Sequence, residues 1–231
     1  MKEKIGIEKL YIANQGAVKS LFHFSFAEYS DKNNMGYGYL RVMNDDIVTP
    51  GNGFPLHPHK DMEIISFVVN GELTHGDSMG NKEILKRGDI QYMSAGKGVY
   101  HSEYNNGKEE LRFIQMWITP DKKGYEPEYG SKKFKVEDRK NKFLKIVSGK
   151  SEENSIKVNQ NIEIYISEID KGKRLKKESL INSKLYLKVI EGEIKINNET
   201  VNEKESIKIE GEKELDITAE KESLILMVVS Y

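Results

Sequence analysis

The chain has 231 residues, enough for one large or two ordinary domains with a sizeable core. Its 36 basic and 37 acidic residues nearly cancel, which argues against a dedicated nucleic-acid binder, and the absence of cysteine excludes disulfides, thiolate catalysis and zinc–thiolate sites. The opening Met1-Lys2-Glu3-Lys4-Ile5-Gly6 carries no signal-like apolar run and no stretch nears the roughly 20 apolar residues of a membrane helix, so a soluble cytoplasmic protein acting away from membranes is expected.

The first fifty residues read as short strands and turns: Leu10-Tyr11-Ile12, Phe22-His23-Phe24-Ser25-Phe26, and Gly38-Tyr39-Leu40-Arg41-Val42-Met43 ahead of Asn44-Asp45-Asp46. His23 alternates with three phenylalanines and so takes the opposite face of its strand, where a structural, hydrogen-bonded histidine is the expectation.

The stretch from Gly53 to Glu103 holds four of the five histidines. It opens with Gly53-Phe54-Pro55-Leu56-His57-Pro58-His59 and closes with Gly96-Lys97-Gly98-Val99-Tyr100-His101-Ser102-Glu103. In each segment two potential ligands stand two residues apart, and in a strand such residues share a face. If the two strands face one another across a small barrel, three imidazoles and a carboxylate converge. That donor set suits divalent iron, manganese, cobalt, nickel, copper or zinc, and suits calcium poorly. Between them, Glu63-Ile64-Ile65-Ser66-Phe67-Val68-Val69 reads as a strand ended by the hairpin signal Asn70-Gly71, and Ile90-Gln91-Tyr92-Met93 as another after Arg87-Gly88-Asp89. His75, in the turn-rich Leu73-Thr74-His75-Gly76-Asp77-Ser78, is expected on a surface loop, with a place at the pocket rim as the functional alternative.

Leu111-Arg112-Phe113-Ile114-Gln115-Met116-Trp117-Ile118 is too apolar for an edge strand and stops at Thr119-Pro120. From Asp121 to about Asn141 the composition turns to Lys, Glu, Gly and Pro, marking a linker whose Tyr125, Tyr129 and Phe134 suit packing against something. From Phe143 alternation resumes in Ile162-Glu163-Ile164-Tyr165-Ile166, Leu185-Tyr186-Leu187-Lys188-Val189-Ile190, Ile194-Lys195-Ile196 and Leu224-Ile225-Leu226-Met227-Val228-Val229, with Lys and Glu outward as on a solvated sheet face.

The halves read as distant copies. Val68-Val69-Asn70-Gly71-Glu72-Leu73 resembles Val189-Ile190-Glu191-Gly192-Glu193-Ile194, and this register sets Glu178 and Leu180 opposite His57 and His59, with Ile217 and Ala219 opposite His101 and Glu103. No histidine follows His101. An all-β duplication is expected, with two β-barrels: an N-terminal metal-binding domain over 1–130 and a degenerate C-terminal domain over 131–231 without the metal site.

His57-Pro58-His59-Lys60-Asp61-Met62-Glu63, Asp77-Ser78-Met79-Gly80-Asn81 and Met93-Ser94-Ala95-Gly96-Lys97-Gly98-Val99-Tyr100-His101-Ser102-Glu103 resemble the pirin branch of the cupin superfamily, and its bacterial members especially. Phe22–Ala27, Leu40–Asp46 and Gln115–Ile118 extend the resemblance. It implies a bicupin with one metal, usually iron, held by His57, His59, His101 and Glu103. It further implies quercetin 2,3-dioxygenase chemistry, in which a flavonol is opened with O2 and carbon monoxide is released. The competing class is a non-enzymatic, iron-dependent regulator acting through a protein partner.

The wider cupin pattern takes its carboxylate from the position of Glu63, which shares parity with His57 and His59; the pirin pattern takes it from Glu103, leaving Glu63 to orient a histidine. Glu103, if loosely coordinated, would swing between metal and substrate as the base. Phe54, Met62 and Tyr92 are candidate pocket-lining residues.

Overall fold

The computed structural model describes residues 1–152, 154–178 and 181–231. The chain begins with β1 (Lys2–Ile5) and a 3-10 turn (Ile7–Lys9), followed by β2 (Tyr11–Asn14), β3 (Val18–Phe22), β4 (Leu40–Val48), β5 (Gly53–His59), β6 (Glu63–Asn70), β7 (Glu72–Asp77), β8 (Lys82–Lys86), β9 (Asp89–Ser94), β10 (Val99–Tyr104), β11 (Leu111–Ile118) and β12 (Glu128–Lys133). After the single helical turn α1 (Val136–Arg139) come β13 (Leu144–Ser148), β14 (Ile156–Lys157), β15 (Ile162–Ile169), β16 (Arg174–Glu178), β17 (Lys184–Glu191), β18 (Glu193–Ile196), β19 (Glu199–Asn202), β20 (Ser206–Glu210), β21 (Glu214–Ala219) and β22 (Ser223–Ser230).

Two compact units result. One comprises Tyr11–Lys133 with Val158–Gln160; the other comprises Met1–Leu10, Phe134–Lys157 and Asn161–Tyr231. The first unit stacks a sheet in the order β12-β9-β6-β11-β4-β3-β2 with a smaller one ordered β5-β10-β7-β8. Val48, Val68, Leu111 and Phe113 from the larger sheet meet Leu73 and Leu85 from the smaller, all fully buried. The β11 run, apolar on both faces, lies between β4 and β6, where both of its edges are paired. Asn44-Asp45-Asp46 does not end its strand. Inside β4, Asp45 takes a bidentate pair from Arg112 at 2.9 Å and Asp46 lies opposite Ser20, so the ladder continues through this polar stretch.

The second unit repeats this topology: β1-β20-β17-β22-β15-β13-β14 against β16-β21-β18-β19. The hairpin β6–β7 corresponds to β17–β18, as the Val68–Leu73 and Val189–Ile194 motifs imply. The place that β12 takes beside β9 is taken by β1 beside β20, with Lys2 opposite Ile209. The Lys/Glu-rich segment after Pro120 is therefore not simply a linker. Its β12 pairs with β9 from Glu128↔Ser94 to Lys133↔Asp89, anchored where Tyr129 and Ser131 donate to Glu83 at 2.8 and 2.9 Å.

Candidate metal centre

β5 and β10 run antiparallel with His57 directly opposite His101 and Val99 opposite His59. Alternation turns both pairs inward: along β10, Val99, His101 and Glu103 are buried whereas Tyr100 is exposed. The imidazoles of His57, His59 and His101 converge, each offering a ring nitrogen within 4.8 Å of the others, with ring centroids 4.5–4.8 Å apart.

These residues fit a metal ion. His57 Nδ1 lies 2.7 Å from the Pro55 carbonyl, which fixes the proton there and leaves Nε2 bare. That Nε2 is 3.1 Å from His101 Nε2. Two imidazole nitrogens bonded at about 2.1 Å to a shared ion lie roughly 3.0–3.4 Å apart at octahedral to tetrahedral angles. His59 Nε2 is buried without a hydrogen-bond partner, the state of a nitrogen whose lone pair is available to a cation. Burial, reinforced by the neighbouring imidazoles, pulls the pKa of both His59 and His101 down to about 3, so both are neutral at physiological pH.

Glu103 follows His101 on the same inward face, past a bulge in the β5 pairing, and lines the same cavity as His57 and His59. It is not loosely held. Oε1 accepts from Ser66 Oγ at 2.8 Å and Gln91 Nε2 at 2.7 Å, and Oε2 accepts from Gln115 Nε2 at 2.5 Å. With two acceptor sites per oxygen, Oε1 is saturated and Oε2 retains one lone pair. Full burial pushes the Glu103 pKa up, opposed by the Ser66 hydrogen bond and by His75 and His57 nearby. The three donors stand in cross-strand register, Gln91↔Ser66↔Gln115, and Asn44 on β4 continues the row. Sequence reading passed over them. Their signal is a lone polar residue inside an otherwise apolar strand, as in Ile64-Ile65-Ser66-Phe67-Val68, which must find a buried partner.

Glu63 is elsewhere. Its carboxylate accepts from Tyr92 Oη at 2.6 Å, Ser94 Oγ at 2.7 Å and the Asn159 backbone N–H at 3.0 Å, and among the described contacts it meets no histidine. Parity does not carry from His59 to Glu63 because β5 and β6 are separate strands: the chain turns at Lys60–Met62, with Asp61 at φ 51°, and the alternation restarts. Tyr92 is thereby turned away from the cavity and Met62 packs with Ile64, Met93 and Val99; of the three candidates, Phe54 lines the cavity.

His75 is on no surface loop. Buried on β7 opposite Glu103, it stacks on Tyr129 (4.6 Å, 15°) and places Nε2 3.1 Å from Asp77 Oδ2. His23 is buried outside the converging group. The cavity, about 290 Å³, is walled by Phe22, Phe26, Phe54 and Trp117, with the Trp117 ring 4.7 Å from His59 at 85°.

Among its described residues the second unit has none of this chemistry. Lys177 pairs with Leu215 as His57 pairs with His101, and Ile217 lies opposite Ile196 as Glu103 lies opposite His75. The expected alignment is thus displaced by one residue on β16 and by two on β21, and Leu180 lies outside the described residues. The polar row Gln91–Ser66–Gln115–Asn44 becomes Ile207–Leu187–Met227–Tyr165. All four, with Leu215 and Ile217, belong to that unit's apolar core.

Comparison with known proteins agrees with this geometry. Residues 7–118 match the family model described as Pirin, and residues 145–228 match the Quercetinase C-terminal cupin domain. A Pirin-like protein of Caulobacter vibrioides is 38% identical over 229 residues, 99% of each chain. The Quercetin 2,3-dioxygenase of Escherichia coli K12 is 38% identical over 216 residues, 93% of this chain and 92% of that one. The crystal structure of the Escherichia coli bacterial pirin YhhW in complex with nickel(II) superposes with a TM-score of 0.94 at 35% identity, covering 100% of this chain and 99% of the other. Two cupin units, three convergent imidazoles in the first, and likeness along the whole chain lead to one conclusion: the chain belongs to the pirin family of bicupins.

Proposed function

We propose that this pirin is a dioxygenase that opens a flavonol of the quercetin type with O2 and releases carbon monoxide, using one divalent metal, Fe(II) in the first instance, held by His57, His59, His101 and Glu103. The observation that carries the reading is the convergence of three imidazoles, two of which, His57 and His59, stand at the wall of an aromatic-lined cavity. The names of the relatives, and the nickel complex of one of them, support it.

When bound, the metal supplies Lewis acidity toward a chelating enol such as the flavonol's 3-hydroxyl and 4-carbonyl pair. The protein's residues do the rest. Pro55 fixes the tautomer of His57. Phe22, Phe26, Phe54 and Trp117 sandwich a flat ring and keep water from it. Glu103 has one uncommitted lone pair, on Oε2, which it gives in turn to the metal and to the enolic proton, never to both at once. Burial raises the basicity of that carboxylate, and the three hydrogen bonds keep it in place.

The test is to load anaerobically purified protein with Fe(II), add quercetin and air, and follow flavonol absorbance and carbon monoxide. Turnover that vanishes in His59→Ala supports the proposal. No turnover with iron, manganese, nickel or copper overturns it in favour of a metal-dependent interaction protein.

A further inference from the structure

The cavity contains a polar wall that metal binding leaves unused. Asn44 and Asp46 lie on the same face of β4, Asp46 lies opposite Ser20 on β3, and all three are buried and line the cavity. Asn44 stands directly across from Gln115, which holds Glu103, so the wall begins one strand away from the metal carboxylate. Asn44 Oδ1 and Asp46 Oδ1 are both buried with no hydrogen-bond partner. Two such oxygens side by side are unusual, because buried acceptors are almost always paired.

The second unit shows what happens when this wall has no ligand to meet. Its counterparts are Tyr165, whose hydroxyl donates to Glu163 at 2.6 Å, and Ser167, whose hydroxyl reaches the Arg139 carbonyl at 3.5 Å. There the polar atoms are spent on the protein itself. In the first unit Asp46 uses one oxygen on Ser20, while its Oδ1 and that of Asn44 stay unpaired beside a cavity that Phe22, Phe26, Phe54 and Trp117 also wall, which suits a flat ligand, apolar in its frame, with hydrogen-bond donors along one edge. Asp46, raised to about 8 chiefly by burial, is uncharged near neutral pH and therefore meets a neutral hydroxyl without a buried charge.

We propose that Asn44 and Asp46, backed by Ser20, form a specificity subsite for the ring hydroxyl groups of a polyhydroxylated aromatic substrate whose enol is chelated at the metal. This inference rests on the proposed function and deepens it: it selects hydroxylated flavonols over bare ones.

The experiment is calorimetric titration of zinc-loaded protein with quercetin and with 3-hydroxyflavone, which keeps the chelating enol and lacks the ring hydroxyls. The wild type should prefer quercetin by about tenfold or more. Asn44→Leu and Asp46→Leu should each cut that preference to roughly threefold or less while leaving 3-hydroxyflavone affinity within about twofold, and Asp46→Asn, which keeps an acceptor oxygen, should retain most of it. Zinc content and circular dichroism verify folding; Asn44→Ala and Asp46→Ala replace any leucine variant that does not fold. Equal affinity for the two ligands in the wild type, or a preference undiminished in the variants, overturns the subsite while the flavonol reading stands. Binding of neither ligand overturns both.

Discussion

Gln115 joins Glu103 to the histidine wall: its amide donates to Glu103 Oε2 at 2.5 Å while its Oε1 accepts the Trp117 indole N–H at 3.1 Å, and Trp117 abuts the His59 ring. One side chain thus sets the position of a carboxylate and, through an indole, of an imidazole. Gln115→Leu should weaken metal binding about 10–100-fold without unfolding the protein, since residues that orient ligands carry effects of that size. Competition against a chelator of known affinity measures it. Wild-type affinity in Gln115→Leu would mean that Glu103 needs no such support.

The two glutamates should separate by readout. Glu103→Gln is expected to lose stoichiometric metal, as is His59→Ala. Glu63→Gln should keep its metal and instead lose about 1.5–3 kcal/mol of stability, because its new amide N–H₂ faces the donors of Tyr92, Ser94 and Asn159. Elemental analysis and urea unfolding of the same preparations decide the matter, and the reverse order would restore the wider cupin pattern.

Stability of the metal-free protein should fall on both sides of neutrality. His59 and His101 have folded pKa values of about 3 against 6.5 for a free imidazole. Between those values the unfolded chain binds protons that the native one does not, so stability drops as pH falls from 6.5 toward 3. Asp46 acts in the opposite sense. Raised from 3.8 to about 8, it keeps a proton that the unfolded chain has released, and stability drops as pH rises through that window. Asp46→Asn should therefore gain more at pH 8 than at pH 5, as judged by urea midpoints; an equal change at both would show that Asp46 ionises normally.

Gly96 is expected to tolerate no side chain. It has φ +42°, and a Cβ there would meet the Tyr125 carbonyl oxygen at 2.0 Å, just before the turn that launches β10. Gly96→Ala should cost about 2 kcal/mol or more in thermal unfolding. It should also lower metal occupancy by displacing the start of the strand that carries His101.

Much of this centre was legible in the sequence because strand parity is local. His57 with His59, and His101 with Glu103, needed only an alternation of two and a partner strand, and the Asn70-Gly71 hairpin marked where that strand returns. What failed was parity carried across a break. A single turn at Asp61 sent Glu63 to another face, and the bulges near His101 and Glu191 displaced the alignment of the halves. His75 looked like a loop residue because Gly76, Asp77 and Ser78 are turn formers, yet pairing with β10 kept it in a strand. Gln91, Ser66 and Gln115 are about 25 residues apart in sequence, and only register brings them to one carboxylate.

The pairing of β1 with β20 bears on how the polypeptide matures. During synthesis Tyr11–Lys133 can collapse while Lys2–Ile5 waits for Ser206–Glu210, a delay on the order of 10–40 s at ribosomal rates. A strand left unpaired that long is an invitation to a neighbouring nascent chain. Its Lys2, Glu3 and Lys4 discourage foreign partners by charge, and two of them later find their own: Lys4 meets Glu205 at 2.7 Å and Glu3 meets Lys208 at 3.5 Å. The same charges that guard the waiting strand thus help to set its final register.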